Sequence, residues 1–439
     1  MAVRSTPVDF QGSSFGFPPV RRREILAWCL YDFANSSFSV VITTVVFSRY
    51  FQQHVVQGDA RLGALLWGTA VSVSMLLVAL ASPLLGAMAD FVAGKRRGLL
   101  VFTALAVAGT TALWIVEPGD VGTGMVLFIV ANVGFAGAFA FYNGFLPEIS
   151  TDSNVGRISG IGFALGYIGG LACLAICLPL LWRPWNAQTL PGVRASFLVT
   201  AGFYAVFAVP IFLWLRERRT AEGRPGLLAL SRIGLCRLRE TFSHAARLKD
   251  MFRLLVAFVI YNDGIETVIY FSPVFASAVL GFSDAEVLIL FAAVQAAAFV
   301  GAWGLASLTD RIGPLRMVAA TLVVWAALTG WAYVVTEKGA FWVLAIVGGV
   351  VLGPCQAASR SAMSLLVPPG RNAEFFGLFA ISGKVSAILG PSVFGWATYL
   401  LGGHRAGILS TLTFFLIGLA VLATVDLQRG RRAAREGAT

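Results

Sequence analysis

Charge is what this chain has least of. Only 13% of its 439 residues are Asp, Glu, Lys or Arg, while 57% are hydrophobic. A soluble domain of this length keeps a wet polar face on each element, and so few charges cannot supply one. Histidine is nearly absent too. His54, His244 and His404 all fall in expected loops, which argues against an enzyme site within the membrane. No metal site and no cofactor are expected. There are five cysteines; Cys29, Cys173, Cys177 and Cys355 lie in apolar runs, where a thiol behaves as a small hydrophobe. No GxxxxGK[ST] stretch occurs, which argues against an ATP-driven pump.

What the chain does have is long apolar runs. Gly98 to Val116, Val318 to Val335 and Ile408 to Val425 are nearly free of charge. Each is close to the ~20 residues that cross ~30 Å of hydrocarbon. They do not alternate in the ~10-residue units of barrel strands, so helices must satisfy the backbone at that depth. Mean hydropathy is +0.79. The fold class expected is an all-α polytopic membrane protein with twelve transmembrane helices. The spans fall at about 26–50, 63–89, 98–116, 123–146, 158–181, 195–215, 251–279, 285–308, 315–335, 340–366, 375–401 and 406–426.

The net charge of +11 follows from topology rather than from nucleic-acid binding. Of 33 Lys and Arg, 25 fall on the side of the N-terminus and 6 on the other. The positive-inside rule then places both termini in the cytoplasm, with a bacterial inner membrane as the expected location. The organisation expected is a cytoplasmic tail 1–24, a six-helix half 25–215, a linker 216–249, a second half 250–427 and a basic tail 428–439. No cleavable leader is expected at Arg21 to Arg23, because a long span that carries an aspartate follows them. In the linker, Leu227, Leu230, Gly234, Leu238, Phe242 and Ala245 share a face between arginines, as in a helix lying at the membrane interface.

The few polar residues inside spans are the candidate site, because an ionisable group at that depth is costly and should face a cavity or a partner. In span 1, Asp32, Asn35, Ser36, Ser39 and Thr43 fall at i, i+3, i+4, i+7 and i+11, one helical face. Span 4 places Asn132, Phe139 and Asn143 on roughly one face, with Tyr142 beside it. Amides and aromatics there suit a neutral or zwitterionic solute; bonds between helices are the other reading. Span 7 holds Asp263, Glu266 and Tyr270 at i, i+3 and i+7. Two carboxylates one turn apart would raise a pKa and could couple protons. Alternatively, one of them pairs with Arg360 or Lys384. In span 10, Gln356 and Arg360 share a face; Arg360 could clamp a substrate carboxylate or act as a gate. Lys384, in span 11, either contacts ligand or bridges to Asp263, Glu266 or Asp32.

The chain also repeats itself. Asp90 is followed by Gly94 and Lys95-Arg96-Arg97, and Asp310 by Arg311, Gly313 and Arg316, 220 residues later. Tyr31-Asp32 has a counterpart in Tyr261-Asn262-Asp263. Two six-span halves are what parallel repeats in transporters look like.

These two turns resemble the signature loop of the major facilitator superfamily. The first copy has one extra residue between Asp90 and Gly94; the second has Ala306 where the pattern has glycine. Trp28-Cys-Leu-Tyr-Asp32-Phe-Ala-Asn35-Ser-Ser-Phe38 resembles the first-span motif of the vacuole-effluxer-like branch. So do Tyr142-Asn143-Gly-Phe-Leu-Pro147, Gly162-Phe-Ala-Leu-Gly166, Tyr261-Asn262-Asp263-Gly264, Gln356-Ala-Ala-Ser359-Arg360-Ser361 and Ser382-Gly383-Lys384. The resemblance covers the chain past its tail. It implies the major facilitator fold, two pseudo-symmetric halves with the substrate site between them. It also implies cytoplasmic gate loops at Asp90, Arg96, Arg97, Asp310, Arg311 and Arg316. Glu148, Arg157 and Glu374, at span ends, are expected to make gate ion pairs. The function expected is proton-coupled secondary transport of a small molecule, an amino acid or similar zwitterion, by a monomer in the lipid bilayer. The alternatives are a drug, sugar or organic acid as solute, or a channel or membrane enzyme.

Overall fold

The computed structural model describes residues 20–436, apart from 58–59, 182–184, 187, 386–388, 402–403 and most of 219–247. Among the described residues every regular element is a helix. Nine helices among the described residues are long and apolar enough to cross a membrane. They include Arg22–Val55 (span 1), Lys95–Ile115 (span 3), Val121–Ile149 (span 4), Val155–Leu181 (span 5), Lys249–Ser277 (span 7) and Lys338–Leu366 (span 10). Two more candidates are bent pairs, Leu65–Ala81 with Leu84–Val92 (span 2, 42°) and Ile289–Gly304 with Ala306–Ile312 (span 8, 45°). The span 2 break falls at Pro83, which lacks the amide a helix needs there. With each pair taken as one span the number is eleven. The remaining expected span is described as Asn372–Val385 and Leu389–Leu401 (span 11). Large apolar side chains such as Leu80, Leu213 and Leu400 are exposed on the outside, as a surface facing lipid tails requires.

Span 1 departs from the expected plain α-helix. It is α-helical over Arg22–Ser37, then π-helical over Phe38–Val45 and again over Phe51–Val55. Asp32, Asn35 and Ser36 therefore keep helical spacing, but the count fails beyond Phe38. Thr44 Oγ1 donates to Ser39 O, five residues back, at 2.9 Å. The wider turns also carry the helix to Val55, past the expected end of span 1 near residue 50. Of the expected linker helix, 232–236 are helical and Gly234 packs on Leu84 and Met88. Leu227, Leu230, Leu238, Phe242 and Ala245 lie outside the described residues.

The buried apolar side chains form two clusters. One draws on residues 28–215 with Ala373, the other on residues 248–425. The pairings repeat between halves. Span 3 packs on span 4 as span 9 (Pro314–Val334) packs on span 10; span 1 packs on span 5 as span 7 packs on span 11. The halves meet through spans 2 and 4 against span 11, and spans 8 and 10 against span 5. These two contact sets map onto each other under the repeat.

Small residues allow that close approach. A Cβ at Gly86 would stand 2.4 Å from Ala373 O. In the second copy the position equivalent to Gly86 is Ala306, and the glycine is on the facing helix instead. A Cβ at Gly160 would stand 2.6 Å from Ala306 Cβ. The departure from the loop pattern is thus made up across the interface. The extra residue of the first loop also has a place. Gly313 has φ 91°, and the equivalent position, Ala93, has φ 52°. An alanine in the left-handed region costs about 1–2 kcal/mol, more than glycine's extra unfolded entropy of about 0.5–1 kcal/mol. Ala93→Gly is therefore expected to raise stability, by about 0.5 kcal/mol, in thermal unfolding. A lowered unfolding temperature would count against this backbone conformation.

Candidate functional site

Arg360 sits in the later turns of span 10, 2% exposed. Its Nη1 donates to Asp32 Oδ2 of span 1 at 3.0 Å and to Asn143 Oδ1 of span 4 at 3.3 Å. Its Nε donates to Ser159 Oγ at 2.9 Å and its Nη2 to Ser159 O at 2.7 Å, both in span 5. The guanidinium carbon lies 4.0 Å from the centre of the Phe163 ring, 4.7 Å from Trp28 and 5.8 Å from Tyr142. Aromatic faces within ~6 Å attract a cation, the more so where water is excluded. Trp28 and Asp32 share a face because they are one turn apart. Trp28 is held by its own Nε1, which donates to Tyr142 O at 3.0 Å. Tyr31, stacked on Tyr142, is tied by its hydroxyl to Thr103 and Tyr204 at 2.7 and 3.0 Å. Gly162 completes the box by having no side chain. A Cβ there would meet Trp28 at 2.8 Å, Asp32 Oδ2 at 2.9 Å and Arg360 Nη2 at 3.0 Å.

Around this box lie the two repeated loops, and each caps a helix of the opposite half. Asp90 Oδ2, in the last turn of span 2, accepts the amide of Glu374 at 3.0 Å, in the first turn of span 11. Asp310, in the last turn of span 8, accepts the amides of Gly156 and Arg157 at 2.7 and 3.0 Å, at the start of span 5. A carboxylate at a helix N-terminus satisfies free amides and the helix dipole together. The basic C-terminal helix Leu427–Glu436 adds a third tie. Arg429 grips Asp250 of its own half at 2.5 and 2.7 Å, and Arg431 pairs with Asp152 of the other.

Some expected residues meet differently. Arg157 was expected to pair through its side chain, but its backbone amide reaches Asp310 while the side chain is exposed. Arg97, Arg311 and Arg316 are exposed. Arg96 is exposed too and donates to Phe212 O. The buried cation of the first loop is Lys95, which spacing alone did not single out. It pairs with Glu148, with Asp90 at 4.0 Å, all three almost fully buried. Its place as first residue of the span 3 helix, after Gly94, turns it inward. Glu217 closes that helix end, accepting the amides of Lys95 and Arg96 at 2.9 and 3.4 Å. Burial pushes the Glu217 carboxyl up from its ordinary value, and the two amides pull it back. Ser159 and Phe163 were also not anticipated as partners; no sequence spacing links them to Arg360.

The span 7 group divides. Asp263 is buried and both its oxygens accept the Gly390 amide of span 11 at 2.8 Å. Glu266 is half-buried, while Tyr270 is 71% exposed. Arg360, a suggested partner for Asp263 or Glu266, is taken by Asp32. The Lys384 side chain lies outside the described residues. Gln356 Oε1 accepts the Tyr167 hydroxyl at 2.7 Å, across the halves. Asn132 is apart from Asn143 and bonds Ser74 Oγ of span 2 at 2.6 Å, the helix-to-helix alternative. Asn35 is buried below Asp32 on the same helix.

Removing one partner of a buried ion pair strands the other, at about 3–5 kcal/mol. Lys95→Met is expected to destabilise by about that much, and adding Glu148→Gln to recover part of it. Unfolding of the detergent-solubilised variants checks this. Equal stability of Lys95→Met and wild type would exclude a buried charged lysine.

Residues 68–435 match the family described as vacuole effluxer Atg22 like. The MFS-type transporter YxiO of Bacillus subtilis (strain 168) is 28% identical, over 91% of this chain and 94% of that protein. Autophagy-related protein 22 of Yarrowia lipolytica is 25% identical, over 77% and 72%. Among solved structures, the human organic anion transporter MFSD10 superposes with TM-score 0.74 at 15% identity, over 92% of this chain and 100% of that one. FucP in its outward conformation gives 0.72 at 12%, over 92% and 100%. Two helical halves joined through crosswise helix caps, and a match over most of the length, have one conclusion: the chain is an integral membrane transporter of the major facilitator superfamily and belongs to the vacuole effluxer Atg22-like family.

Proposed function

We propose that the protein is a monomeric secondary transporter that exports an amino acid or similar zwitterion, coupled to protons, from a bacterial inner membrane with both termini in the cytoplasm. The observation that carries this reading is where the halves are tied. Arg360–Asp32, Asp310 on span 5, Asp90 on span 11, the Ser361 hydroxyl on Val155 O and Arg431–Asp152 all join them. These ties lie at span ends carrying the basic loops. On the charge rule that face is cytoplasmic, so the arrangement is closed to the inside, and transport requires the ties to break and reform. A proton on Asp32 removes the charge that holds Arg360 and loosens the central tie. That makes Asp32 the coupling group we favour, with Asp263 and Glu266 on the other half as a second carboxylate pair. Asn35, Tyr142, Asn143 and Gln356 would face the solute. Export follows the description of the family.

Counterflow of a labelled amino-acid panel in proteoliposomes, with and without a pH gradient, tests this. Wild type is expected to show saturable counterflow stimulated by the gradient. Asp32→Asn is expected to lose most of the response, and Asp263→Asn to weaken it. If no amino acid moves while the protein is folded, the substrate class falls. Flux without saturation would sink alternating access.

A further inference from the structure

We infer that the box around Arg360 is a cation-binding site with two occupants in turn: the arginine while this face is closed, and the ammonium group of the substrate when the halves part. The inference rests on the transport reading above and names the substrate chemistry of that site.

Ownership of the residues carries it. Trp28, Asp32, Tyr142, Asn143, Ser159 and Phe163 all come from spans 1, 4 and 5, in one half. Only Arg360 comes from the other. Rocking must therefore withdraw the arginine and leave the rest behind. The atoms that meet the arginine are acceptors: Asp32 Oδ2, Asn143 Oδ1, Ser159 Oγ and Ser159 O. Three ring faces close the sides. Carboxylate plus aromatic faces is a receptor for an amine cation and repels an anion. Withdrawing Arg360 takes away the counter-charge of Asp32, which costs free energy where the carboxylate stays shielded from water. A substrate ammonium removes that penalty, so its arrival favours the open state. The geometry also argues against the reverse role, in which Arg360 clamps a substrate carboxylate. All three of its nitrogens are already engaged, and a carboxylate there would face Asp32.

The test vacates the box and refills it. Full-length Arg360→Ala is reconstituted in lipid nanodiscs and its unfolding temperature followed with ethylammonium or methylguanidinium chloride, against sodium chloride and sodium acetate at equal ionic strength. Either organic cation is expected to restore several degrees, at concentrations at least tenfold below sodium. Asp32→Asn in the same chain should abolish the gain. No advantage over sodium, or an equal gain from acetate, overturns the site. If Arg360→Ala does not fold, wild-type proteoliposomes give the answer. Leucine and leucine methyl ester, which share the ammonium, should compete for counterflow, and N-acetylleucine, which lacks it, should not. Competition by N-acetylleucine as strong as by leucine keeps the transporter and overturns the cation site. Rescue by organic cations in a protein that moves none of these solutes keeps the site and overturns the transport reading.

Discussion

A guanidinium cannot be left bare among transmembrane helices, and that constraint organises this molecule. Arg360 lies in a nearly charge-free span, so each of its nitrogens must be met by oxygen and its charge by an anion. Span 1 supplies Asp32, the end of span 4 supplies Asn143, and the start of span 5 supplies Ser159. The three helices must converge at one depth for this to work. Gly162 makes the convergence possible by leaving room where any Cβ would collide. The tie is buried, and its two charges come from opposite halves.

The outer ties differ in kind. Asp90 and Asp310 each hold backbone amides of the opposite half. Such contacts depend on helix position and survive changes in the side chains around them. The exposed arginines of the two loops take no such part, and at an aqueous surface an ion pair contributes little. Lys95, by contrast, is buried with Glu148 and braces the loop from within its own half. The face thus has three layers: a rigid loop, a backbone cap on the other half, and a central charge pair.

Much of this was legible in the sequence. The helical membrane class followed from charge-free runs, and the repeat from Asp90 and Asp310. That Asp32 and Arg360 lie inside spans followed from the apolar runs around them. Their pairing did not, because nothing in spacing links span 1 to span 10. Asp263, Glu266 and Lys384 were equally plausible partners by depth. Lys95 was hidden among three consecutive basic residues, of which only helix register selects the inward one. The π-helical turns of span 1 were invisible as well, since hydrophobic periodicity assumes the α-helical count. Ser159 and Phe163 looked like ordinary packing residues and acquire a role only from what docks on them.

The crosswise caps have a consequence for how opening would be felt through the protein. The carboxylate that finishes span 11 belongs to the first half, and the one that finishes span 5 belongs to the second. Neither half is a complete folding unit at that face. Separation would therefore bare peptide groups at two helix starts far apart in the chain, simultaneously and by a single motion. Those starts would exchange hydrogen in step with turnover, while the opposite ends of the same helices would not.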